Sequence, residues 1–159
     1  MIVKEIYTSL LARYPQDESS HLFWPYWHRH IPTKILLFGL LVWKRRVLTW
    51  DALMHRGFQG PGWCILCRNH EESVDHLFFT CSVDVQIWKL FSPLLGESPG
   101  VPVDFMDGVN RWDKLRNKYQ SLPFFLIWEI WKMRNRIIFE DGLFSIHAIH
   151  NAIMKWIYL

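Results

Sequence analysis

The stretch Trp63–Cys81, "WCILCRNHEESVDHLFFTC", contains all three cysteines of the chain, Cys64, Cys67 and Cys81. With His76 as the fourth member, their spacing is Cys-x2-Cys-x8-His-x4-Cys. Three thiolates and one imidazole form a closed tetrahedral site, which is the usual form of structural zinc. Four protein ligands leave no position for an activated water. The spacing therefore predicts a structural zinc site and not a hydrolytic one.

Other interpretations of this stretch stay open at this point. His70 competes with His76 as the fourth ligand, but it lies only three residues after Cys67, which leaves a cramped chelate loop. The thiols could also be unrelated to any metal. A thioredoxin-like redox pair at "CILC" would need a strand followed by a helix, and it would leave Cys81 unexplained.

The composition bounds the class of protein. The chain has 159 residues, which suggests one domain or one domain with an appendage. Ten Trp and eleven Phe are enough to build a hydrophobic core. Some of them are also expected to be exposed and to form apolar surface that needs a partner. The net charge of +3 permits contact with RNA or DNA without arguing strongly for it.

The compartment is expected to be intracellular, nuclear or cytoplasmic. No secretory signal is evident, and three cysteines cannot all pair within one chain. The longest apolar run, Ile35 to Trp43, is about half the roughly twenty residues that a membrane span needs. We therefore expect a buried helix there and no membrane association.

The periodicity predicts a mainly α fold, a small helical domain built around one Cys-Cys-His-Cys zinc site and followed by a C-terminal helical segment. Thr49, Ser73, Ser82 and Ser145 are predicted helix N-caps. We divide the chain into an N-terminal helical flank (1–20), a zinc-binding domain (21–92), a linker rich in Pro and Gly (93–120) and a C-terminal helical region (121–159).

The stretch "FFLIWEIWKMRNRIIF" in the last region predicts an amphipathic helix. One face is expected to be apolar, with Phe124, Ile127, Trp128, Trp131 and Ile138, and Asn135 lies on this stripe. The opposite face is expected to be polar, with Glu129, Lys132 and Arg136. In a last helix, Ile146, Ile149, Ile153, Trp156 and Ile157 are expected to face inward.

The segments "HIPTKILLFGLLVWKRRVLTWDALMHRG", "CILC", "ESVDHLFFTC" and "IWKLF" together resemble a known family. This family is the zinc-binding domain that follows the reverse transcriptase in plant LINE-type (non-LTR) retrotransposons. The resemblance covers roughly residues 22 to 92. Its pattern falls on Ile31, Pro32, Lys34, Phe38, Leu48, Thr49, Leu53, Gly57, Cys64, Cys67, Glu72, Ser73, His76, Leu77, Phe78, Cys81 and Trp88. One departure is Gly39, where the family commonly has Trp.

The resemblance implies a non-catalytic accessory module that helps a polymerase to hold RNA or DNA. The candidate phosphate-binding residues are Lys44, Arg45, Arg46, Arg56 and Arg68. The alternative is a structural or protein-interaction module, whose aromatic faces dock on a polymerase or RNase H-like region or drive self-association. An enzyme is not expected, because the sequence has no nucleophile elbow, Gly-rich phosphate loop or open-site metal motif.

Overall fold

The computed structural model describes residues 30–95, 100–114 and 118–158. This part of the chain is mainly α, as predicted, and its extended pairing consists of an isolated bridge between Trp63 and Glu71. The α-helices are α1 (Thr33–Trp43), α2 (Trp50–Met54), α3 (Ser82–Phe91), α4 (Phe105–Asp113), α5 (Leu122–Phe139) and α6 (Ile146–Tyr158). The predicted N-terminal flank, 1–20, lies outside the described residues.

Helix α1 packs against α5 through a close approach at Gly39. A Cβ atom placed on Gly39 would lie 2.8 Å from Cδ1 of Phe124 and 3.2 Å from Cζ of Phe105. The space that a large residue would need is therefore filled by two phenylalanine rings from α5 and α4. Helix α1 was expected to be buried all round, but Leu41 is 44% exposed because only one face of the helix meets the core.

Helix α5 is the central element of the core. Phe124 and Ile127 are fully buried, and Trp128 and Trp131 pack around Phe38 of α1. Glu129, which the sequence places on the polar face, is buried, with its side chain 7% exposed. The Glu129 carboxylate accepts a hydrogen bond from Nε1 of Trp156 and pairs with Lys132, so these polar groups keep a buried charge satisfied.

Helix α6 closes the core from the C-terminal side. The Ser145 hydroxyl accepts a hydrogen bond from the backbone N–H of Ala148, which confirms the predicted cap. Ile149, Ile153 and Ile157 are buried at helical spacing. Most of the predicted inward face is therefore present in the described structure.

The predicted linker, 93–120, includes helix α4. Asp104 caps this helix by accepting a hydrogen bond from the N–H of Asp107, and Phe105, Val109 and Trp112 are buried. The described part of this segment thus contributes side chains to the same core as α1 and α5. The boundaries at residues 92 and 121 stay predictions. Among the described residues, no helix has both the length and the apolar content to cross a membrane.

Candidate metal centre

Two short segments, 62–64 and 70–72, hydrogen-bond to each other through their backbones and position Cys64 and Cys67. The N–H of Cys64 donates to the carbonyl of His70 at 2.8 Å, and the N–H of Glu72 donates to the carbonyl of Gly62 at 2.9 Å. Between these bonds the chain reverses, and the N–H of Arg68 donates to the carbonyl of Cys64. This tight turn holds Cys64 and Cys67 near one another.

A π-helical turn, His76–Thr80, positions the other two members. The predicted cap at Ser73 is confirmed, because its hydroxyl accepts a hydrogen bond from the N–H of His76 at 3.1 Å. The N–H of Cys81 donates to the carbonyl of His76, five residues earlier. Cys81, and not the predicted Ser82, occupies the N-cap position of α3. The wide turn thereby brings Cys81 back towards His76 while Phe78 anchors it in the core.

The sulfur atoms of Cys64, Cys67 and Cys81 and a ring nitrogen of His76 all lie within 4.8 Å of one another. The sulfurs of Cys64 and Cys81 are 3.9 Å apart, and the sulfur of Cys67 is 3.3 Å from Nε2 of His76. Ordinary zinc bond lengths give tetrahedral edges of about 3.8 Å between sulfurs and about 3.6 Å between sulfur and nitrogen. The donor set and these two separations therefore fit a zinc ion.

The surroundings of His76 favour Nε2 as its donor atom. Nδ1 of His76 lies 3.4 Å from the hydroxyl of Thr80, so the second ring nitrogen has its own partner, as metal-binding histidines usually do. His70 is exposed and lies outside the cluster, with its ring 5.3 Å from that of His76. The structure thus places His76, and not His70, beside the three sulfurs.

Cys64 and Cys81 are both buried, and their sulfur atoms lie 3.9 Å apart. Their hydrogen bond lowers the pKa of the Cys64 thiol to about 5, and the same bond, together with burial, raises the pKa of Cys81. The lowered pKa of Cys64 favours its thiolate, which is the form of cysteine that binds zinc.

Asp84 is a fully buried carboxyl on α3, three residues after Cys81. Neither of its oxygens has a hydrogen-bond partner among the described residues. Burial raises the pKa of this carboxyl well above its ordinary value. Sequence reasoning missed Asp84, because a lone acidic residue in the first turn of a helix usually reads as a favourable surface charge.

A buried ion pair between Glu72 and Arg134 joins the loop beside the metal cluster to α5. Arg134 binds Glu72 through Nη2 to Oε1 at 2.6 Å and through Nε to Oε2 at 3.3 Å. Thr49 occupies the predicted N-cap position of α2 but makes no side-chain cap bond. The same Oε1 of Glu72 accepts the N–H of Trp50 and so caps the helix instead. Glu72 belonged to the resemblance pattern, but no sequence signal named Arg134 as its partner.

The predicted phosphate-binding residues are all exposed. Arg45 pairs with Asp75 at 2.7 Å, immediately before His76, and Arg68 directly follows Cys67. Both arginines therefore flank the Cys67–His76 side of the cluster. Lys44 lies over the ring of Trp43, with Nζ 4.1 Å from the centroid. Arg56 follows the last turn of α2, near Met54, which borders a cavity that Arg68 also lines.

The chain is similar to a known family. A family described as zinc-binding in reverse transcriptase matches residues 2–88. No curated protein and no solved structure shows significant similarity to the chain. The matched residues make up more than half of the chain and include all four members of the cluster. The chain therefore belongs to the family described as zinc-binding in reverse transcriptase.

Proposed function

We propose that the chain is a non-catalytic accessory module of a reverse transcriptase that binds one zinc ion and assists in holding RNA or DNA. The observation that carries the zinc assignment is the clustering of Cys64, Cys67, His76 and Cys81 in a member of a zinc-binding family. A closed site offers no position for substrate, so the role of zinc here would be structural. It would supply folding energy to the loops around it. A plant LINE-type origin and an intracellular, nuclear or cytoplasmic location remain predictions.

The exposed cations support the nucleic-acid part of the proposal. Lys44, Arg45 and Arg46 follow α1 without interruption, and all three are exposed. The Arg45–Asp75 pair is itself exposed, with side-chain exposures of 68% and 41%, so water and salt weaken it and a phosphate can replace the carboxylate. Cations of this kind bind phosphate regardless of base sequence.

The second candidate is a protein-interaction role, and one observation favours it. The last residue of α5, Phe139, is exposed, and so are Leu143 and Phe144 in the loop that follows, with Leu143 91% exposed. Apolar side chains grouped in this way are typical of surfaces that meet another protein. A polymerase or RNase H-like region of a parent protein, or a second copy of the chain, would then be the partner.

A metal analysis and a salt titration test the proposal together. We expect one zinc per chain after purification without chelator, and an RNA or DNA affinity that falls as salt rises. Replacing Lys44, Arg45 and Arg46 by Ala removes up to about three phosphate contacts, so the slope of log K against log salt should shrink by about 0.7 to 0.9 per contact. The zinc content should not change, because none of the three is in the cluster.

A matched triple variant controls for net charge. Lys89, Lys114 and Lys155 are also exposed, so their joint replacement by Ala removes the same charge from other surfaces. This variant should keep the wild-type slope. An unchanged slope in the folded Lys44, Arg45 and Arg46 variant would favour the protein-interaction role. Zinc well below one equivalent would contradict the metal assignment.

A further inference from the structure

An open cleft lies beside the Cys64–Cys67 turn, on the side away from the core. Its volume is about 430 Å³, which is within the range of small-ligand sites. Glycines and a proline form part of its wall. The side chains that border it are Met54, Trp63, Arg68, Asn69, His70 and Glu71. None of these residues belongs to the metal cluster.

The backbone fixes the Trp63 side chain at the surface. Trp63 pairs with Glu71 in an antiparallel bridge, and successive side chains of extended backbone point to opposite sides. Cys64 and Glu72 are both buried, so their neighbours Trp63 and Glu71 face the solvent. Trp63 is 53% exposed, although the hydrogen bonds on either side of the bridge hold its backbone in place.

The polar residues around the indole match the chemistry of a nucleotide. Arg68, Asn69 and His70 are exposed and follow one another along the turn. A guanidinium binds phosphate, and an amide or imidazole bonds to the edges of bases. Glu71 adds a carboxylate that repels a bare phosphate but accepts a hydrogen bond from an exocyclic amino group. The cleft therefore favours a base with its phosphate over a phosphate alone.

We propose that this cleft binds one unpaired nucleotide of single-stranded RNA or DNA, with its base stacked on Trp63 and its phosphate near Arg68. Stacking on an aromatic side chain requires an unstacked base, so a duplex does not use this site. The inference deepens the nucleic-acid role proposed above and rests on it. It adds a contact that depends on the base and not on salt.

Fluorescence anisotropy of the zinc-loaded full chain tests the site, with a labelled single-stranded oligonucleotide, an abasic strand of the same length and a duplex. Trp63→Ala should weaken binding of the single strand by about 5- to 150-fold. Trp63→Phe, which keeps a stacking ring, should retain most of the affinity. Phe139→Ala removes an exposed ring that lies outside the cleft and should bind as the wild type does.

The other probes separate stacking from charge. Trp63→Ala should leave the salt slope and the affinities for the abasic strand and the duplex unchanged. Equal affinity of Trp63→Ala and wild type for the single strand overturns the stacking site, and so does an equal loss for all three probes. In that case, a salt slope that still depends on Lys44, Arg45 and Arg46 preserves the proposed function. A wild-type chain that binds none of the probes overturns both.

A measurement on the unmodified chain covers the case in which Trp63→Ala does not fold. The indole N–H resonance of Trp63, assigned from its absence in Trp63→Phe, should shift when the single strand is added and stay in place when the abasic strand is added. A resonance that moves with neither strand contradicts the stacking site.

Discussion

Arg134 of α5 donates two hydrogen bonds to the carboxylate of Glu72, although 62 residues separate them in sequence. Both side chains are buried, with exposures of 4% and 0%. Glu72 lies within the family match and Arg134 lies beyond it. The guanidinium also lies over the ring of Trp131, 4.9 Å from its centroid. The pair thus joins the loops around the metal cluster to the central helix of the core.

Replacing Arg134 by Met should lower the free energy of unfolding by about 3–5 kcal/mol, because it leaves the Glu72 charge buried without its partner. Urea unfolding of the zinc-loaded chain measures this. The double variant Glu72→Gln with Arg134→Met should lose less than the single variant, since no unpaired charge remains. Arg136→Met, at an exposed site on the same helix, is the control and should stay within about 0.5 kcal/mol of wild type. A loss below about 1 kcal/mol in Arg134→Met would argue against a firm link.

Cys81→Ser should abolish stoichiometric zinc binding and loosen the segment from Gly57 to Trp88, because a structural metal contributes folding energy locally. Amide hydrogen exchange should show the largest loss of protection in that segment. A smaller loss is expected around Arg134, which bonds to Glu72. Helix α6 should keep most of its protection.

The exposed Ser82→Ala is the neighbouring control and should keep both zinc and protection. Uniform loss along the described chain in Cys81→Ser would mean that the metal holds the whole core together.

Asp84→Asn should change how stability depends on pH. Burial raises the pKa of Asp84 well above the ordinary value of about 3.9. Between these two values the folded chain binds more protons than the unfolded chain, so Asp84 makes stability fall as pH rises. The neutral Asn removes this loss. The stability of Asp84→Asn relative to wild type should therefore rise with pH, by up to about 1.4 kcal/mol per pH unit, until the pKa of the folded state is reached.

Urea unfolding in excess zinc, over a series from about pH 5 to neutral, measures the Asp84 effect. Asp141→Asn, at an exposed site, should parallel the wild type and serves as the control. Parallel profiles for Asp84→Asn and wild type would contradict this prediction, because they would show that the folded chain stabilises the charged form of the Asp84 carboxyl.

Gly39→Ala should destabilise the chain, although Ala has the higher helix propensity by about 1 kcal/mol. The added methyl group would press on the fully buried ring of Phe124, and overpacking of this kind costs about 1–3 kcal/mol. Thermal unfolding should show a lower midpoint. Leu41→Ala, on the exposed side of α1, should change it little. A higher midpoint for Gly39→Ala would show that α1 can move away from α4 and α5 without loss of stability.

The sequence by itself determined the helical class, the family resemblance and the candidate ligand set. Helical periodicity and Cys-His spacing are local patterns, and a structural zinc site is built from residues close together in the chain. The caps at Ser73 and Ser145 were predictable for the same reason, because a cap bond reaches only two or three residues ahead.

Only the tertiary structure decided which polar residues are buried. Glu129 follows a surface pattern along α5, yet α6 covers it and supplies the Trp156 donor. Compared with the Trp common in the family, Gly39 has no side chain to pack, but rings from α4 and α5 fill the space beside it. The sequence around Asp84 predicts a favourable charge at the start of a helix, but Asp84 lies in the core. The buried carboxylate of Glu72 is paired with Arg134, from a distant part of the chain. Each outcome depends on segments far apart in sequence that meet in space, and helical periodicity and residue spacing describe only neighbours along the chain.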